Sequence, residues 1–143
     1  MKRTLTLYLL LSLLFLMGCN DPKHVTESLQ RAEALMDEYS DSAWMVLNTI
    51  SPDEMGQNRT RAHYALLYTQ AQDKTYRDET NDSLISVAVD YYRETDDVYR
   101  KFLSYYYKGR VHFNDKDYLS ATTCYMEAEQ LVDEVVYACR TLN

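Results

Sequence analysis

Apolar positions in this chain fall into short stretches with helical spacing, preceded by one continuous apolar run. Leu29, Ala32, Leu35, Met36 and Tyr39 recur at steps of three and four, which puts them on one face of an amphipathic helix. That pattern predicts a helix at about 23–38, opened by Pro22, whose missing N–H has no intrahelical partner to lose in a first turn. Ser40 and Asp41 then supply a stop and a new cap, and Ala43, Trp44, Val46, Leu47 and Ile50 form the buried side of a second helix at about 42–50. So short a joint lays the two helices antiparallel.

Further along, Ser51-Pro52-Asp53-Glu54 reads as one capped turn, interrupted by Gly56-Gln57-Asn58. A helix at about 59–72 turns Ala62, Ala65, Leu66, Tyr68 and Thr69 toward a partner and carries Arg61, Gln70 and Gln72 on its polar side. A polar linker at 73–81 leads to a helix at about 83–94, capped by Asn81 or Asp82, with Leu84, Ile85, Ala88, Val89, Tyr91 and Tyr92 as its broad apolar face. Helices at about 98–113 and 118–131, joined by Asn114-Asp115-Lys116-Asp117, make a last pair. The expected fold is all-α, with helix pairs at about 23–50, 59–94 and 98–131 inside a domain at 24–133.

The apolar run at the start, Leu5 to Met17, follows Lys2 and Arg3 and spans about 13 residues, against about 20 for a membrane-crossing helix. It reads as an export signal at 1–18. Leu16-Met17-Gly18-Cys19 is similar to the bacterial lipobox. That likeness implies cleavage before Cys19, a thioether-linked lipid on its thiol with acyl chains such as palmitate, and a short lipidated linker at 19–23. Acyl chains gain about 0.8 kcal/mol per buried CH₂ and hold a protein stably on a membrane surface. The implied location is the bacterial cell envelope, with inner and outer membrane both open.

The third pair resembles the tetratricopeptide (TPR) family, whose 34-residue unit is two antiparallel helices with small residues at their close crossing. In residues 102–135, Tyr105 takes the large aromatic position and Gly109 the small one, with Tyr118, Ala121, Tyr125 and Ala128 following on the second helix. Lys108, Lys116 and Asp133 depart from the pattern, at positions where Leu, Gly and Pro are usual. The earlier pairs fit more loosely. Together with the lipobox, Tyr64-Ala65-Leu66-Leu67 and Tyr105-Tyr106-Tyr107-Lys108-Gly109-Arg110 resemble TPR lipoproteins of the Bacteroidetes group. The resemblance implies a short right-handed solenoid of stacked pairs.

Charge and side-chain chemistry narrow the function. The net charge is −7, and removing residues 1–18 takes away two bases and no acid, which leaves −9. That argues against nucleic-acid binding. His24, His63 and His112 have no acid or Cys partner at ligand spacing, and Gly56 and Gly109 make no phosphate loop. No metal, cofactor or catalytic residue is expected, and Cys124 with Cys139 could form a disulfide.

What is left is binding. In the family, the first helix of each unit lines a concave surface that takes an extended peptide or a partner helix. Carried over through the third pair, this implies Leu103, Tyr106, Arg110, Phe113 and Asn114 as contacts for an unidentified protein or peptide. An alternative packs Tyr106 and Phe113 on the preceding pair and leaves Arg110 in solvent. Val135, Val136, Tyr137 and Ala138 begin a partial or short terminal helix at 134–143. Either that helix covers the last apolar face, or the chain is the N-terminal sensor part of a longer or truncated envelope regulator.

Overall fold

The structure, a computed structural model, describes residues 21–141. The expectations for residues 1–18 and for Cys19 lie outside that range. The described residues are all-α: α1 (Lys23–Leu35), α2 (Ser40–Leu47), a 3₁₀ turn (Pro52–Glu54), α3 (Asn58–Lys74), α4 (Ser83–Tyr92), α5 (Val98–Asn114), α6 (Tyr118–Gln130) and α7 (Val132–Thr141). Each helix packs on the next, and α1, α3, α5 and α7 also touch in succession.

Local chemistry sets the ends of these elements. Asp97 and Asp117 accept the backbone N–H of Arg100 and Ser120, capping α5 and α6. Around the 3₁₀ turn, Ser51 and Glu54 cap each other reciprocally. The helices α3 and α5 end alike. After α3, Tyr76 N–H bonds to Asp73 C=O and Arg77 N–H to Gln72 C=O; after α5, Lys116 N–H bonds to Phe113 C=O and Asp117 N–H to His112 C=O. Both are Schellman ends, which need a left-handed residue. Tyr76 and Lys116 take φ of 57° and 66° without being glycine.

Two core clusters share α3. Tyr64, Leu67 and Ala71 join Val25, Leu29 and Leu47 of the first pair, while Ala62, Ala65 and Leu66 join Ile85, Ala88, Tyr107 and Val111. Burial on both sides overturns one expectation, since Gln70 is only 7% exposed rather than on a polar face. Its side chain pairs with the Tyr107 hydroxyl, whose pKa burial pushes up. Buried hydroxyls of Thr69 and Ser104 donate back to Ala65 and Arg100 carbonyls.

Two salt bridges mark how the first helices align. Lys74 Nζ meets Asp37 Oδ1 at 3.1 Å, and Arg110 Nε meets Asp73 Oδ1 at 2.7 Å, each contact spanning 37 residues of chain. The C-terminal ends of α1, α3 and α5 therefore lie together, and these helices run in the same direction. In the third pair the Gly109 position is filled by a ring. A methyl group there would stand 2.5 Å and 2.7 Å from carbons of Tyr125.

Candidate functional site

Alignment of α1, α3 and α5 brings one polar or charged residue of each to a common line. Glu33 of α1 receives Arg100 Nη2 of α5 at 2.7 Å, and its other oxygen lies 3.4 Å from His63 Nε2 of α3. Arg100 Nη1 also reaches Asp97 Oδ2 at 2.7 Å. His63 Nε2 is buried and faces the Glu33 carboxylate at 3.4 Å. His63 foremost, and Arg100 after it, hold the Glu33 carboxyl down to about 2 against the opposing effect of burial. Burial disfavours the Arg100 charge, yet Asp97 and Glu33 outweigh it and raise its pKa.

Around this triad lies a groove of about 390 Å³, lined by Thr26, Leu29 and Gln30 of α1, Arg59 and Thr60 of α3, and Tyr92 of α4, with Asp21 at its edge. The triad neutralises its own charges. What the groove offers a ligand is amide, hydroxyl and guanidinium hydrogen-bonding groups beside an aromatic ring, a surface that suits polar backbone. No group of three His, Cys, Asp or Glu among the described residues could hold a metal ion.

The residues singled out from the sequence divide between two places. Tyr106 and Arg110 share an open recess of about 360 Å³ with Phe102, Tyr125, Ala128 and Val132. Tyr106 stacks on Phe102 at 6.3 Å and lies 5.9 Å from Tyr125; Phe113 packs edge-on against Tyr118 at 5.5 Å. Both rings thus make their aromatic contacts within their own pair. Arg110 is held by Asp73, which raises its pKa, and Asn114 Nδ2 donates to the Glu79 carbonyl at 3.2 Å. Arg110 is thus tied to the last turn of α3, and Asn114 holds the segment between α3 and α4. Leu103 is half-buried against the α3–α4–α5 core.

Among the packing positions, Ala121 and Ala128 are buried, Tyr105 and Tyr125 half-buried, and Tyr118 exposed. No disulfide joins Cys124 and Cys139, and burial pushes the Cys124 thiol up. Every histidine faces a carboxylate of another element: His24 meets Glu54 at 3.2 Å, His63 meets Glu33, and His112 meets Asp82 at 3.6 Å. Searching for partners along the chain missed these pairs, because each partner lies 30 residues away in sequence.

No helix among the described residues is long and apolar enough to cross a membrane. Compared with known proteins, the chain matches no family model, no curated protein and no solved structure.

Proposed function

We propose that this protein is a lipid-anchored, non-catalytic scaffold of TPR-like helix pairs that holds a protein or peptide at the bacterial envelope. One observation carries the binding role: three parallel first helices, α1, α3 and α5, converge on a groove in which Arg100 is paired with Glu33 and Asp97 and whose other groups suit a polypeptide backbone. The Leu16-Met17-Gly18-Cys19 motif supports the anchor. The test is photo-crosslinking in cells from a reactive residue placed at Gln30 or Arg59 in the groove, with Glu27 outside it as control. A discrete adduct from the two groove positions alone is expected. Adducts equal to the control's would remove the binding role.

A second reading, a sensor unit of a larger envelope regulator, draws on the other end of the stack. The helix α7 has no buried residue, while Leu119 is 80% and Tyr137 72% exposed. Such a face suits a covering helical neighbour. Under this reading, native extracts contain the chain in a larger covalent or assembled species, as intact mass and sizing would reveal.

A further inference from the structure

The carboxylate of Asp21 lies just before α1 but bonds elsewhere. It accepts the backbone N–H groups of Gly56 at 2.6 Å and Gln57 at 3.0 Å, and the Thr60 hydroxyl. Asp21 thus ties the start of the domain to the residues that lead into α3 and to its first turn, across 35 residues of chain. Burial pushes its carboxyl up, but the bonds from Thr60, Gln57 and Gly56 prevail and keep it ionised below the usual carboxylate range. The start of the domain is therefore clasped to the N-terminal end of α3 by three donors instead of trailing from α1.

Only Asn20 stands between Asp21 and Cys19. Two residues of extended chain span at most about 7 Å, less than the diameter of one helix. If the thiol of Cys19 carries lipid, as the proposed function holds, the clasp leaves the domain little freedom to tumble. We infer that the N-terminal ends of α1 and α3 rest against the lipid surface, and that α1, α3 and α5 rise from it as a fixed bundle with the polar groove beside the membrane. The 17 residues of α3 then carry the opposite end about 25 Å outward. Asp37, Lys74 and Arg110 lie at that outer end, since their bridges join the helix C-termini. The partner class that fits is the headgroup layer itself, met by the exposed polar residues Lys23, Gln57 and Asn58.

Energy transfer to the membrane measures this orientation. The full chain, purified from a bacterial host that processes lipoboxes, is placed in phosphatidylethanolamine–phosphatidylglycerol vesicles carrying a headgroup acceptor dye. A donor dye is attached at Asn58→Cys or at Lys116→Cys, with Cys124→Ala and Cys139→Ser removing other reactive thiols. Transfer severalfold greater from position 58 than from position 116 is expected, and a ten-residue Gly-Ser insertion between Asn20 and Asp21 should bring the two toward equality. Full lipid mass on the chain with equal transfer from both positions would overturn the orientation alone. A chain without lipid mass would overturn the anchor and the orientation together. Unequal transfer that survives the insertion would also overturn it, since the short tether would then not be the cause.

Discussion

The two ends of the stack differ in what their helices have to lean on. The helix α3 is packed on both sides and buries eight residues, from Ala62 to Ala71. The helix α7 packs on α5 and α6 and buries none. Yet α7 has the clearer apolar stripe in sequence, with Val132, Val135, Val136 and Ala138 set against Asp133, Glu134 and Arg140. An amphipathic pattern shows that a helix has one side to hide, whereas α3, hidden on two sides, has lost the pattern. In a stack, position among neighbours decides burial more than the regularity of the stripe does.

The strongest way to probe this contrast is to cut equal apolar groups from the two ends. Leu47 is fully buried in the first cluster, so Leu47→Ala should cost about 2–5 kcal/mol, read as a lower urea midpoint. Next comes the closest approach in the third pair. Gly109→Ala sets a methyl against the Tyr125 ring; overpacking costs about 1–3 kcal/mol, of which better helix propensity returns up to about 1. A net loss is expected, and a cycle with Tyr125→Ala should show coupling between the two positions.

Acid tests the join between α1, α3 and α5. The Glu33 pKa is lowered from 4.5 to about 2. The stabilisation is therefore present above the unfolded value and is lost as pH falls through the folded one. Glu33→Gln should flatten the decline in urea midpoint over that window. Its side chain is 40% exposed, so solvent screening makes the change modest.

Smaller still, Lys116→Gly or Tyr76→Gly should stabilise by up to about 1 kcal/mol by relieving left-handed backbone, visible as a rise in melting temperature. Smallest of all, Leu119→Ala at the open end should change the unfolding free energy by no more than about 0.5 kcal/mol, read from the urea midpoint. A large loss there would show that α7 and its surroundings are covered in solution, closing the gap between the two ends.

The all-α character of the chain was legible from three- and four-residue spacing, because that spacing follows directly from helix geometry. Gln70 misled because a polar side chain with a buried phenol for a partner looks, in sequence, like a solvated one. The groove triad was harder. Glu33, His63 and Arg100 sit on three helices whose alignment is marked by the Asp37–Lys74 and Asp73–Arg110 bridges, and a 34-residue unit drawn on small residues does not reach those contacts at 37. Arg110 and Asn114 had suitable chemistry for a ligand, but Asp73 in the last turn of α3 and Glu79 in the loop after it use it first.

The clamp on that loop reaches the chain's one tryptophan. Arg77 lies 4.0 Å over the Trp44 ring and also meets Asp41, while the indole N–H is buried with no hydrogen-bond partner among the described residues. Release of the segment would let water reach the indole while every helix stayed intact. Intrinsic fluorescence is thus a native optical gauge of one small latch, separable from the ellipticity that reports the helices, and needs no added dye.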